Sequence, residues 1–306
     1  MLAYVVRRLF FLIPTILVVG TLVFFGMHYA PGDPASIMLG LYANDETVKT
    51  VRHEMGLDRP ILTQYASFLT GLARGDLGES FHEERPVVGL VLTAFYPTLL
   101  LVAVSMGFSL LMGSLLGLYT AIHENSFLDS FGRLLSVVGV SAPVFWVGIL
   151  LMILFAVHLK WFPVAGYGTW RHLVLPSLAL SGQSIAFIAR LFRSNLIEQK
   201  RQDYVRTARA KGISEKRLWL CHISRNSLLS VVTMVGVRFA TLLGGAVIVE
   251  NVFAWPGLGT LIVRAVSSRD YPILLGAVMW IAIVISVVNL LVDILYSVLD
   301  PKIIYT

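Results

Sequence analysis

The sequence predicts an all-α, polytopic membrane protein with six transmembrane helices. Hydrophobic residues make up 57% of the 306 and charged residues only 14%, a balance outside the range of soluble domains. The apolar residues fall in repeated runs long enough to cross a bilayer. The remaining charge is unevenly spread. From Arg190 to Arg225 ten basic side chains face three acidic ones, a local excess of +7 in a chain whose total is +6. A basic excess confined to one loop between apolar segments places that loop in the cytoplasm. The single cysteine, Cys221, excludes an internal disulfide and falls in the same loop, where thiols stay reduced.

Taken in order, Arg7-Arg8 precede an apolar run from Leu9 to Tyr29, about 31 Å long as a helix and sufficient to span the hydrocarbon core. The run is too long for a signal-peptide core, and Met27-His28-Tyr29-Ala30 lacks small residues at a cleavage spacing. Residues 1–29 therefore read as a retained first helix that starts inside. Residues 30–96 carry five basic side chains against nine acidic ones, so this segment belongs on the opposite, extracytoplasmic side. Within it Val48, Val51 and Met55, then Ile61, Leu62, Tyr65, Phe68, Leu69 and Leu72, recur at helical spacing and predict a small helical subdomain on the outer face.

Residues 97–306 supply five further spans. The second, 97–122, carries Gly113 and Gly117 at the small-xxx-small spacing that lets helices approach closely. A short loop leads to a third span over 134–157, bent at Pro143. Trp161, Phe162, Tyr167 and Trp170 then form an interfacial aromatic belt. The fourth span covers 173–188, the cytoplasmic loop 190–227, the fifth span 228–249 and the sixth 273–299. Six crossings put both termini in the cytoplasm, in agreement with Arg7-Arg8, the +7 loop and Lys302.

The basic loop has internal punctuation. Asp203 is placed to cap a helix and Gly212 to close it in the left-handed conformation, which leaves about two turns between them. Ser214 then caps a second helix through Leu218, Trp219 and Ile223. Two short helices joined at a glycine make a compact knob. The charges alone also fit a topology signal or a solvated face. Little aromatic surface accompanies them, which argues against nucleic acid as a partner.

Catalytic signatures are missing from the sequence. The dipeptide Gly-Lys never occurs, so there is no phosphate-binding loop and no expectation that this chain hydrolyses ATP or binds a cofactor. Three His-Glu pairs, at His53, His82 and His123, are not completed to His-Glu-x-x-His, and no metal site is predicted. No Gly-x-Ser-x-Gly is present, so the chain reads as a non-enzyme.

The run Tyr204-Val205-Arg206-Thr207-Ala208-Arg209-Ala210-Lys211-Gly212 resembles the cytoplasmic "EAA" loop of the membrane subunits of binding-protein-dependent ATP-binding-cassette (ABC) importers, in particular the first permease of dipeptide, oligopeptide and nickel importers. Ala30-Pro31-Gly32-Asp33-Pro34, Gly56-Leu57-Asp58-Arg59-Pro60, Arg74-Gly75-Asp76-Leu77-Gly78, Trp255-Pro256-Gly257-Leu258-Gly259 and Asp300-Pro301-Lys302 are similar to stretches of the same family. The family's Glu-Ala-Ala is Arg206-Thr207-Ala208 here, and a proline common after the loop is Ser230.

The resemblance implies a type I ABC importer permease fold in the bacterial inner membrane, working by alternating access. It implies a second, homologous permease subunit, two cytoplasmic ATP-binding subunits that carry ATP and magnesium, and an extracytoplasmic substrate-binding protein. The implied cargo is a di- or oligopeptide, with nickel chelate, glutathione or another small solute as the alternative. By the same resemblance Asp203, Tyr204, Arg206, Thr207, Ala208, Ala210, Gly212 and Ser214 form the ATPase-coupling site. A proton-coupled carrier would show related halves with facing broken helices, and the sequence contains no such repeat.

Three ionisable residues fall at or near membrane depth: Arg238, Glu250 and Asp293. Such groups face a partner, the bundle interior or a water-filled path. An Arg238–Asp293 structural pair and a pathway-facing Arg238 both fit the sequence. Glu250 lies near the outer end of its helix, within reach of interfacial water, beside the Pro256-Gly257-Leu258-Gly259 turn, which suits either an outer gate or an ordinary turn.

Overall fold

The structure, a computed structural model, describes residues 2–40 and 44–299. Asp300-Pro301-Lys302 and the side chains of Arg7 and Arg8 lie outside the described residues. In chain order the helices are α1 (Leu2–Tyr29), α2 (Pro34–Leu39), α3 (Asp45–Glu54), α4 (Ile61–Ala73), α5 (Val87–Ile122), α6 (Phe127–Ser141), α7 (Val144–Leu151, continued with wider π-type turns over Met152–His158), α8 (Trp170–Lys200), α9 (Asp203–Ala210), α10 (Glu215–Arg217, continued with π-type turns over Leu218–Ile223), α11 (Ser224–Val252), α12 (Leu258–Ser268) and α13 (Tyr271–Leu299). Among the described residues five helices are long and apolar enough to cross a membrane, and six spans result when the bent pair Asp129–Ser141 and Val144–His158 is one crossing.

The bend falls where Pro143 stands. Proline lacks the N–H for the helical ladder and disfavours the helical conformation of the residue before it. Accordingly Ala142 is extended, α6 ends, α7 restarts at Val144, and the two are inclined by 105°. The sequence predicts one bent helix here and the structure has a broken one.

Other boundaries move outward for packing reasons. The second span starts at Val87, ten residues before Pro97, because Val87 and Val91 are buried against Leu258, Tyr271 and Leu274. The fourth continues three turns past Ile188, since Ala189, Phe192 and Leu196 prolong an apolar stripe at helical spacing between its basic residues. Helix α12 is absent from the sequence reading altogether, because its 11 residues are too few to register as a span.

Contacts divide the chain into two compact units, Met1–Thr98 with Pro256–Ser286, and Leu99–Trp255 with Val287–Thr306. In the first, α4 lies along the C-terminal half of α1. Phe68 stacks on Phe24 at 5.7 Å, the Tyr65 hydroxyl meets that of Thr21 at 2.7 Å, and His28 Nε2 meets Gln64 Oε1 at 2.9 Å. Asp270, buried just ahead of α13, accepts from the Ser80 hydroxyl at 2.6 Å and from the Ile273 amide at 3.3 Å. It therefore caps α13 and fastens the segment before α5 to it.

In the second unit α8 is central and packs against α6, α7 and α11. Gly113 and Gly117 permit α5 to approach α8. A Cβ on Gly117 would stand 2.7 Å from the Ala189 carbonyl oxygen, and one on Gly113 2.8 Å from the Ile188 side chain. The small-residue spacing is thus a close helix contact.

Candidate functional site

The knob forms at the end of α8. Helix α9 has two faces: Val205 and Ala208 point inward, joining Phe192, Leu196, Leu218 and Ile223 in one core, with Tyr204 and Ile213 partly covered beside them. Asp203, Arg206, Thr207, Ala210, Gly212 and Ser214 are exposed. Two apolar positions three apart are enough to fix the roll of a two-turn helix.

The ends of α9 separate what the sequence merged. Gly212 has φ +78, the Gly212 amide donates to the Arg209 carbonyl at 2.9 Å, and the Ile213 amide donates to the Ala208 carbonyl at 3.2 Å. This is the glycine-closed turn the sequence predicts, with Ile213 supplying the accompanying apolar contact. The N-terminal expectation requires correction. Gln202 holds the cap position, Asp203 is the first helical residue, and neither Gln202 nor Ser214 makes a side-chain capping bond. Asp203 acts instead as an acid in the first turn, favourable to the helix dipole.

Ion pairs hold the knob in place. Arg209 Nε donates to Glu215 Oε1 at 2.6 Å, closing the turn around Gly212; this keeps the Glu215 carboxyl below its ordinary range and raises Arg209. Lys200 Nζ lies 3.0 Å from Glu124 and 5.7 Å from the centre of the Trp219 ring. Arg193 grips Asp129 with two bonds of 2.6 Å, through Nε and Nη2, and the Asp129 side chain is fully buried. Several charges in the +7 loop are therefore fasteners to the α5–α6 connection. Charge counting missed them, although Ser126-Phe127-Leu128-Asp129 carries the helix-start spacing: the Asp129 amide donates to the Ser126 hydroxyl at 3.1 Å and the Asn125 amide to Asp129 Oδ2 at 3.1 Å.

At membrane depth, Arg238 lies eight residues into the span Ser230–Val252, about 12 Å along the helix. Its guanidinium carbon sits 3.4 Å from the centre of the Phe187 ring, a cation–π stack, and its Nε is buried without a hydrogen-bond partner. No carboxylate of the described residues lies within 4.0 Å of it, so the Asp293 pair is not formed. Glu250 is fully buried, which corrects the expectation that it reaches interfacial water. The turn expected at Pro256-Gly257-Leu258-Gly259 is the start of α12: Gly257 is its N-cap, Gly259 is buried in its first turn, Pro256 is exposed, and the Leu258 amide donates to the Thr98 hydroxyl at 2.8 Å.

Comparison with known proteins agrees with this architecture. Residues 113–305 match the family described as binding-protein-dependent transport system inner membrane component, and residues 1–103 match the N-terminal part of such membrane components. The chain is 43% identical over 305 residues, 100% of both chains, to the glutathione transport system permease protein GsiC of Pectobacterium atrosepticum. It is 40% identical, with the same coverage, to that of Escherichia coli strain K12. Among solved structures it is similar to the inward-facing MetNI methionine ABC transporter, with a TM-score of 0.60 and 17% identity over 70% of this chain and 97% of that one. That likeness establishes the fold, that of a type I ABC importer permease.

Proposed function

Because the chain belongs to the family of binding-protein-dependent transport system inner membrane components, we propose that it forms half of the translocation pathway of an ATP-driven importer of short peptides, with glutathione the first cargo to test. The carrying observation is the full-length identity of 40–43% to permeases named for glutathione. Glutathione is itself a tripeptide, so the peptide reading and the relatives' names converge on one chemistry. The second permease, two ATP-binding subunits and an external binding protein complete the proposed machine, and ATP and magnesium reside on the ATP-binding subunits.

The exposed face of α9, with Asp203, Arg206, Thr207 and Ala210, together with Gly212 and Ser214 of the turn that follows it, is the surface proposed to dock an ATP-binding subunit; Tyr204 and Ala208 support it from the core side. Closure of the ATPase pair would push this knob. The push reaches the spans through the Arg193–Asp129 and Lys200–Glu124 ties. Arg238 is proposed to face the pathway, where a desolvated guanidinium without a carboxylate partner attracts the carboxylates of a peptide. Glu250, Pro256, Gly257 and Gly259 are the proposed outer gate region.

Uptake of labelled glutathione, dipeptides and a nickel chelate, each in a strain lacking this permease and complemented with it, tests the assignment. Restored glutathione uptake is the expected result, and restoration of the chelate alone would overturn the peptide reading. In the same strain Arg238→Gln is expected to assemble normally yet take up carboxylate-ended cargo several-fold more slowly. Amidated dipeptide should be spared, and equal losses for both would remove Arg238 from cargo recognition.

The orientation with residues 30–96 outside and the knob inside is tested by cysteines at Thr47 and Ser214. They are expected to label from opposite sides of intact cells, Thr47 from outside. Labelling of both from one side overturns the six-span topology.

A further inference from the structure

We infer that the cleft between α5, α6 and α8 is a binding site for an anionic phospholipid. Helices α6 and α8 run antiparallel and touch at several levels. Arg193 meets Asp129, Arg190 Nη2 donates to the Ser136 carbonyl at 3.2 Å, and Gln183 Nε2 donates to the Ala142 carbonyl at 3.1 Å. Beside this seam lies a cleft of about 490 Å³. Its long wall is apolar, with Leu116, Val137, Ile185 and Ala186, and is kept open by Gly139 and Gly182. Its other end carries Arg133, Arg190 and Arg193.

The charges at that end do not balance. The cleft lining holds no carboxylate; behind it Asp129 is committed to Arg193 at 2.6 Å and stands 3.9 Å from Arg133. Arg133 and Arg190 are exposed, and no other carboxylate among the described residues pairs with either. Three guanidiniums against one carboxylate leave a net +2, and Arg190 stands twenty residues, about 30 Å, along α8 from Trp170, the thickness of a hydrocarbon core and so the level of phospholipid headgroups. Basic pockets between transmembrane helices at this level recognise anionic headgroups.

The dimensions suit an amphiphile. From Arg133 to Gly139 is six residues of α6 and from Arg190 to Gly182 eight of α8, so the apolar wall extends about 9–12 Å from the basic end. That is most of one leaflet of a hydrocarbon core about 30 Å thick. A phosphate placed on Arg133 and Arg190 thus sends an acyl chain along the wall. A purely apolar occupant leaves the two arginines unmatched, and a free anion leaves the wall empty.

The test uses the complete transporter in nanodiscs of phosphatidylethanolamine with a minor share of phosphatidylglycerol, extracted and weighed by native mass spectrometry. Phosphatidylglycerol is expected to be retained in preference to phosphatidylethanolamine. Replacing Arg133 and Arg190 by glutamine is expected to lower that retention about fivefold for each charge removed. Gly182→Leu probes the wall with every charge intact: a Cβ there meets nothing within 4 Å, so the side chain fills the cleft without disturbing the helix. It too is expected to lose the lipid. Equal retention of the two lipids, unchanged retention in both variants, or a photo-cross-link from Val137 to the second permease would each overturn the site.

Discussion

Gly212→Val is expected to abolish uptake while the permease stays folded in the membrane. Gly212 holds φ +78, and a Cβ at that position would meet nothing within 4 Å, so the obstacle is conformational rather than steric crowding. A left-handed residue other than glycine costs about 1–2 kcal/mol, and a β-branched one is a true outlier there. The Arg209–Glu215 pair that closes the turn is exposed on both sides, so it is worth at most about 1 kcal/mol and cannot hold the turn against that cost. The closing bonds of α9 are therefore lost, and the face proposed to dock an ATP-binding subunit loses its register. Gly212→Asn is the control, because asparagine tolerates the left-handed conformation and the space is open. It is expected to retain most uptake. ATPase co-purification with each variant measures docking separately, and full uptake by Gly212→Val would remove the knob from coupling.

The glycine was legible because it stands in a polar stretch where only local rules act. Spans were legible for a related reason: a bilayer selects long apolar runs whatever their packing. The losses arise where tertiary contacts override composition. Charge at Arg190 looked like the end of a helix, yet Ala189, Phe192 and Leu196 continue an inward stripe, while Arg190 is exposed and Arg193 turns to the buried Asp129 carboxylate. Helix α12 has a buried stripe through Leu258 and Ala265 but lacks spanning length, so nothing in a span search detects it. Arg238 could be placed at depth by counting residues. Its stacking on Phe187, 51 positions away in sequence, needed coordinates.

Asp129→Ala is expected to be the most damaging single change to assembly. The carboxylate is fully buried and serves two purposes, gripping Arg193 bidentately at 2.6 Å and accepting the Asn125 amide at the start of α6. Removing one member of such a pair leaves an uncompensated guanidinium in a poorly solvated site and typically costs about 3–5 kcal/mol. For a chain of ordinary marginal stability, that is a large fraction of the total. The measurement is the membrane level and thermal midpoint of the detergent-purified transporter, both expected to fall. Two further variants separate the causes. Asp129→Asn keeps an oxygen for the Asn125 amide but removes the charge, so it isolates the ion pair and is expected to recover only part of the loss. Asp129→Ala with Arg193→Leu removes the stranded charge, and a buried pair replaced by apolar groups is often near neutral. The double variant should therefore regain most of the midpoint. If it also regains uptake, the pair is structural. If stability returns and uptake does not, the tie between α6 and α8 is itself part of the path proposed to carry motion from the knob to the spans.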